Sequence, residues 1–322
     1  MDFTELTVGS DDSGRRLDHI LMPLLASQSR NSVFAALRKG LIKLNGTKTN
    51  PQVIVQNGDR LRIATVLLKP ENQEKDPFFI PEDTFETVFC NEHVRIINKP
   101  CGISVQPASQ QEASVADIIA RAYKKAEHAS LAFTPAPLHR LDRNTSGLLV
   151  ISQSLRGATE VSRMIEQHLI QKTYIGIATG NLTQKEDWCD YIDDSHAKPP
   201  LYTVTVSRDG TAGKQAVTKA IPLCTNGNKS LTLIQYDIQT GRKHQIRAQS
   251  AFHGHALAGD SAYGAVPFSG ATFPAFFLHA VRLRFDPCNS IGLPEELVCK
   301  IPKQFKNFLK NNLLNWDGKL IL

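Results

Sequence analysis

His139-Arg140-Leu141-Asp142-Arg143-Asn144-Thr145-Ser146-Gly147-Leu148 is the stretch on which the reading of this chain turns. One carboxylate, Asp142, stands among His139, Arg140 and Arg143, and a polar run from Asn144 to Gly147 leads into the apolar Leu148–Ser152. The polar run is turn-prone and the apolar one strand-like, so the carboxylate falls on a loop at a strand edge. Neighbouring cations favour its charged form. A carboxylate so placed can act as nucleophile or electrostatic stabiliser at the anomeric carbon of a sugar. On these residues alone its plain competitor is a salt-bridged aspartate at a tight turn.

Further blocks line up outward from this stretch. Upstream lies Ile97-Asn98-Lys99-Pro100-Cys101-Gly102, and downstream Lys172-Thr173-Tyr174 and Thr240-Gly241-Arg242-Lys243-His244-Gln245-Ile246-Arg247. Gly259-Asp260 with Tyr263-Gly264, then Leu278-His279-Ala280, complete the series. In this order the blocks resemble the signature of RluA-type RNA pseudouridine synthases, over roughly residues 87–302. The resemblance implies isomerisation of a uridine already in RNA: the N-glycosidic bond breaks, the base turns, and a carbon–carbon bond to the ribose forms. It implies that Asp142 is the catalytic aspartate, that Arg247 pairs with it, and that Tyr174 lies against the target base. Arg140 matches the arginine that fills the gap left by a flipped nucleotide, and Ile246 an apolar contact of the base pocket. His139 and Arg242, beside these positions, go with them to substrate binding. The family uses no metal and no organic cofactor. Ala248-Gln249 and Ala256 depart from its pattern where many relatives carry histidine and proline, which blurs the branch and leaves the reaction untouched.

Alternatives to these roles are bland. Tyr174 in an apolar strand would more often be core, and Arg242 and Arg247 could be surface cations. His253 and His255, two apart on an expected strand, share a face, but no cysteine or carboxylate cluster completes a metal site with them. Ser146 lacks the Gly-x-Ser-x-Gly setting of a hydrolytic nucleophile.

The 322 residues favour more than one domain, and 41% apolar with 21% charged residues supports packed cores. No apolar run reaches the ~18 residues of a membrane helix. The acid-bearing start Met1-Asp2-Phe3-Thr4-Glu5 is unlike a signal peptide, and six cysteines with no Cys-x-x-Cys pair suit a reducing compartment, so a cytoplasmic address is expected. Net charge is +6. Between Gly14 and Lys48 seven basic residues face one acid, Asp18, so one short segment carries an excess equal to that of the whole chain. Such clustering is the electrostatic footprint of a phosphate-binding module.

That segment has its own architecture. Leu17, Ile20, Leu21, Leu24 and Leu25 follow helical spacing, and a second helix should start near Ser29 or Ser32 and stop at Gly40. Leu41–Leu44 reads as a strand with Asn45-Gly46 as its hairpin turn, and Gly58-Asp59 as a turn before Leu61-Arg62-Ile63. Arg16-Leu17-Asp18, Ser29-Arg30, Arg38-Lys39-Gly40, the 42–46 run and Gly58-Asp59 resemble the small RNA-binding domain first described in a ribosomal small-subunit protein. The resemblance makes Arg16, Arg30, Arg38, Lys39 and Lys43 the RNA-binding candidates.

The expected division is a small basic αβ domain over 1–68, an acidic, proline-bearing linker over 69–85, and a catalytic domain over 86–322. In the last, Ser114 and Asp117 form a capping box for a helix burying Val115, Ile118, Ile119 and Ala122, and a second helix spans about 155–169. Strands are expected near 87–89, 94–97, 148–152, 174–178, 202–206, 217–222, 230–238 and 281–285. Strands outnumber helices without alternating with them, so the class is α+β with a mixed, largely antiparallel sheet. Residues 187–213 match the family poorly and are expected to be a loop governing substrate choice.

The combined expectation is a monomeric RNA pseudouridine synthase, with RNA as partner and no membrane association, acting on large-subunit ribosomal RNA. Transfer RNA is the alternative substrate, and a catalytically silent assembly factor the alternative function. A glycoside or nucleoside hydrolase would need a second acid near the first, which no motif supplies.

Overall fold

The computed structural model describes residues 2–68, 85–107, 112–124, 130–198, 202–210, 212–228, 230–267, 275–312 and 314–321. The expected linker lies almost wholly outside them. Phe85 is described, and its buried ring already belongs to the core of the large domain.

Two helices and three strands build the small domain: β1 (Phe3–Thr7), α1 (Leu17–Leu24), α2 (Arg30–Lys39), β2 (Ile42–Leu44) and β3 (Arg60–Ala64). Leu17, Ile20, Leu21 and Leu25 are buried as their spacing requires. α2 begins where Ser29 accepts the Ser32 N–H and ends at Gly40, whose φ of 73° closes the helix in the left-handed conformation. One expectation changes. Asn45 and Gly46 do form a turn, but it closes only a single bridge from Leu44 to Thr47, and β2 pairs antiparallel with β3 instead. Reading the turn as a hairpin also hid β1, which pairs with the other edge of β3.

The large domain is one mixed sheet. It contains β4 (Glu86–Cys90), β5 (Val94–Lys99), β6 (Ser146–Ser152), β7 (Ile170–Thr179), β8 (Glu186–Asp193), β9 (Thr205–Ser207), β10 (Lys214–Thr225), β11 (Leu231–Ile238), β12 (Leu278–Phe285) and β13 (Glu296–Val298). The order across the sheet is β4-β5-β6-β12-β7-β11-β10-β8-β9, with β13 also on β12. Only β6 and β12 run parallel; the other described pairs are antiparallel. Helices α3 (Val115–Lys124), α4 (Leu155–Glu166), α5 (Gln245–Phe252) and α6 (Lys303–Asn311) cover it. β6 shows why: Leu149 and Ile151 join the core of α3, while Leu148 and Val150 join that of α4. A strand covered on both faces reads as an unbroken apolar run.

Three other expectations are corrected. α4 stops at Glu166 instead of Leu169, because His168 turns to a φ of 57°. Part of the expected 187–213 loop is strand: β8 alternates buried Trp188, Asp190 and Ile192 with more exposed neighbours and pairs along β10. The strand expected from Tyr202 begins only at Thr205, Tyr202 having a φ of 48°.

The two domains touch through buried polar groups. The Asp12 carboxylate, wholly buried, accepts hydrogen bonds from Ser130 Oγ at 2.7 Å, Leu131 N at 2.8 Å and Ala132 N at 3.3 Å. Leu131 and Ala132 pack on the small domain's apolar core.

Where β6 and β12 meet, Gly147 sits opposite Ala280 with a φ of 114°. A Cβ there would lie 2.3 Å from the Ala280 carbonyl oxygen. Gly147→Ala should therefore cost about 2–4 kcal/mol of stability, from backbone strain and overlap together. Gly9→Ala, with φ of −86° and nothing within 4 Å of the added carbon, should change stability by no more than about 0.5 kcal/mol. Thermal or denaturant unfolding of the two variants checks the contrast.

Candidate active site

The Asp142 loop is fixed by bonds to its backbone. Lys99, buried at the end of β5, donates from Nζ to the carbonyls of Pro100 at 2.9 Å, Ile103 at 2.9 Å and Arg143 at 3.2 Å. Burial pushes its pKa down to about 8, with the nearby Cys101 and Asp142 pulling the other way. Gly102 N–H also donates to the Arg143 carbonyl, and Thr145 N–H to that of Asp142. Beneath the loop, buried His279 bonds Ser146 Oγ through Nδ1 at 2.9 Å and meets Cys299 Sγ at 3.2 Å through Nε2. Burial brings its pKa down to about 3, so it acts as a neutral strut between β6, β12 and the end of β13.

Arg247 reaches the same point from α5. Its Nε and Nη2 grip Asp260 Oδ2 and Oδ1 at 2.7 and 2.9 Å, a two-pronged pairing, and its Nη1 lies 3.3 Å from Asp142 Oδ2. The ring of Phe276 lies 4.5 Å from the guanidinium carbon and that of Tyr263 5.1 Å. Burial works against the charge on Arg247, but the bonds to Asp260 and the two carboxylate charges outweigh it and hold its pKa above the ordinary value. Gln245, buried at the first turn of α5, ties the helix to β10. Its amide donates to Val217 O and Thr218 Oγ1, and its oxygen accepts from Thr240 Oγ1 and Arg242 N.

Asp142, whose side chain is 17% exposed, opens onto a cavity of about 480 Å³. Tyr174 from β7, Ile246 from α5, Leu141 and Leu278 supply apolar wall, and Lys172, Arg140 and Arg242 supply cations. Burial, with Asp142's charge adding to it, pushes the Tyr174 hydroxyl's pKa up, so it stays protonated. Lys172 is pulled down by burial. The sequence candidates Asp142, Tyr174, Arg247, Arg140, Ile246, His139 and Arg242 thus all line one cavity.

They do not all have free hands. His139 Nε2 accepts the Val150 N–H at 3.1 Å, and burial, assisted by Lys172, brings its pKa down to about 3. Arg242 donates from Nε to the Gln215 carbonyl. Arg140 is exposed. In the small domain, Arg16 is engaged by the buried Asp18 at 3.0 and 2.8 Å, and Arg30 lies 3.8 Å from the same carboxylate. Arg38 and Lys39 are exposed on the last turn of α2, and Lys43 is half-buried on β2.

Asp260, Lys99, Gln245, His244 and Tyr263 stand within sequence motifs, yet the sequence assigns them no role. Asp260 meets Arg247 13 residues away and Lys99 reaches Arg143 44 residues away, which no local pattern encodes. His253 and His255 are not on a strand: His253 caps the C-terminus of α5 and bonds Asp190 at 2.9 Å. Among the described residues no group of three or more His, Cys, Asp or Glu is placed to hold a metal ion.

A mixed sheet thus carries a loop carboxylate, a paired buried arginine and a buried tyrosine around one cavity. The chain belongs to the RNA pseudouridylate synthase family, whose model matches residues 93–252. It is an isomerase that converts uridine to pseudouridine in RNA. Two curated relatives are each named ribosomal large subunit pseudouridine synthase C. The Haemophilus influenzae protein is 27% identical over 289 residues, 87% of this chain and 86% of the relative. That of Escherichia coli is 26% identical over 294 residues, 87% of this chain and 88% of the relative. The fold is shared with the solved human RNA pseudouridylate synthase domain containing 4, at a TM-score of 0.57 and 21% identity over 71% of this chain and 93% of that one. Human RNA pseudouridylate synthase domain containing 1 gives 0.52 and 16%, over 76% and 100%.

Asp260→Asn keeps the shape and removes the charge that balances Arg247. Turnover should fall about ten- to a hundredfold, because the freed cation then binds Asp142 more tightly and turns it from the cavity. RNA affinity should stay within about threefold, since Asp260 is buried behind Arg247. Single-turnover kinetics beside a binding isotherm separate the two.

Proposed function

We propose that this enzyme isomerises uridines of large-subunit ribosomal RNA, with Asp142 as the group that meets the ribose when the N-glycosidic bond breaks. The observation that carries the catalytic assignment is the array at the cavity: one carboxylate, partly open to solvent, oriented by an arginine that is already neutralised by Asp260. Such a carboxylate is oriented without being locked into a tight salt bridge, and can serve the sugar as nucleophile or as base. Tyr174 offers an aromatic face for the detached uracil and a neutral hydroxyl beside it. Ile246 and Leu278 exclude water from the base while it turns. Reaching a paired uridine costs a few kcal/mol of unstacking, which the planar cation of exposed Arg140 offsets by filling the vacated stack.

The ribosomal assignment rests on the curated relatives, which carry that substrate in their names. The small domain fits it as a phosphate-gripping module: Arg38, Lys39 and Lys43 lie together at the end of α2 and on β2, while Arg16 and Arg30 are shared with Asp18. Enzyme and module are proposed to work as one monomer in the cytoplasm. Among the described residues no helix is long and apolar enough to cross a membrane.

Asp142→Asn should abolish pseudouridine formation while changing RNA affinity less than about threefold. Mapping pseudouridines in total RNA from cells carrying either the wild-type gene or the Asp142→Asn allele reads out both reaction and substrate. Loss confined to large-subunit ribosomal RNA is the expected result; loss confined to transfer RNA would overturn the substrate class. A double change of Arg38 and Lys39 to Glu should weaken RNA binding and reduce the salt-dependence slope by about two, with turnover at saturation unchanged.

A further inference from the structure

His244 stands immediately before α5 with φ 52° and ψ 21°, a left-handed conformation that favours glycine or asparagine. It makes no side-chain capping bond to the helix it opens. A strained backbone of this kind persists where the surroundings demand the residue for something else. What surrounds His244 is directional. Val204 N–H donates to the Tyr263 hydroxyl oxygen at 3.1 Å, and that oxygen lies 2.9 Å from His244 Nδ1. With Val204 already donating to the oxygen, the tyrosine's own proton is free to bridge the gap to Nδ1. A neutral imidazole that accepts at Nδ1 carries its hydrogen on Nε2. Nε2 faces Asp142 Oδ1 at 3.9 Å, on the oxygen that Arg247 does not hold.

A carboxylate rotates easily about its last bond, with no sharp preferred angle. Arg247 restrains one oxygen of Asp142 only. We infer that His244 is a positioning residue for Asp142, held as its Nε2–H tautomer by the Tyr263 hydroxyl so that the carboxylate is restrained at both oxygens. This rests on the assignment of Asp142 as the reacting group. The 3.9 Å gap is longer than a hydrogen bond and closes to one with a shift of about 1 Å, as catalytic bonds do when substrate binds. The ring is neutral in this setting: burial outweighs the pull of Asp142 and brings its pKa down to about 4, Arg247 and Lys243 acting with burial and Asp260 with Asp142. A neutral donor orients the aspartate without transferring a proton to it.

The relay also joins the site to a stretch that matches the family pattern poorly. Val204 lies just before β9, and Val204, Ile192 of β8, Ala248 of α5 and the Tyr263 ring pack together. The hairpin of β8 and β9 is therefore mechanically continuous with the catalytic carboxylate.

Three variants and one spectrum test the assignment. His244→Leu removes the donor and should lower kcat about tenfold or more, with KM within about threefold. His244→Gln places an amide N–H where Nε2–H was and should restore kcat to within about fivefold of wild type. Tyr263→Phe should lower kcat with KM unchanged. The imidazole of residue 244, assigned in 15N-histidine-labelled protein by its loss in His244→Gln, should show the Nε2–H tautomer in wild type and a mixture in Tyr263→Phe. An Nδ1–H tautomer in the wild type, or a kcat in His244→Leu within twofold of wild type, overturns the inference. So does a His244→Gln variant that is folded and no more active than His244→Leu. The spectrum reads the tautomer without catalysis, so residual turnover in Asp142→Asn would sink the Asp142 assignment and leave the tautomer result standing.

Discussion

One guanidinium shared unequally between two carboxylates organises this enzyme. Arg247 is buried, so it needs a compensating charge at close range, and Asp260 supplies it through two short bonds. Because that need is met elsewhere, the longer contact to Asp142 can orient without capturing. Much of the surrounding fold serves this inequality. Gln245 and Gln249 anchor α5 to β10, the segment after Leu257 brings Asp260 in from behind, and the ring of Phe276 closes one face of the cation. Removing Asp260 would strip the buried guanidinium of its close partner, a defect on the order of several kcal/mol.

The residues at the cavity arrive from four separate regions of the chain, and how they are held differs by region. The Asp142 loop is held through its backbone, by Lys99 beneath its carbonyls and by the close approach of Gly147 to Ala280. Tyr174 is held by its strand, between Ala280 of β12 and Tyr236 of β11. Arg247 is held by charge. Asp142 and Tyr174 are thus fixed through the backbone that carries them, and Arg247 through its charged partners.

Much of the architecture could be read from the residues. Ser29 and Gly40 bracket α2, Ser114 and Asp117 form the capping box of α3, and the apolar run of β6 announces a strand covered on both faces. What escaped has a physical explanation. α5 buries Gln245, Arg247, Gln249 and Ser250 together with Ile246 and Ala248, so it shows no apolar stripe to mark it as a helix. β8 places Asp190 at a buried position, where Gln249 and His253 satisfy it, and the acid disguised the strand's alternation. The cavity residues Asp142, Tyr174 and Arg247 were legible because they stand in motifs. Asp260 and Lys99 stand in motifs too, yet their work depends on partners 13 and 44 residues distant, which only the folded chain brings together.

The junction at Asp12 bears on how the chain is made. Three donors to that carboxylate come from residues 118 to 120 positions later, and Leu131 and Ala132 complete the small domain's apolar surface. A ribosome producing this protein from its N-terminus releases α1 and α2 long before those residues exist. Until they emerge, Asp12 must remain hydrated and the apolar patch beneath Leu131 uncovered. The first domain in sequence is thus not the first to be finished: its last packing step waits for a segment of the second, so maturation of the two is coupled in time as well as in space.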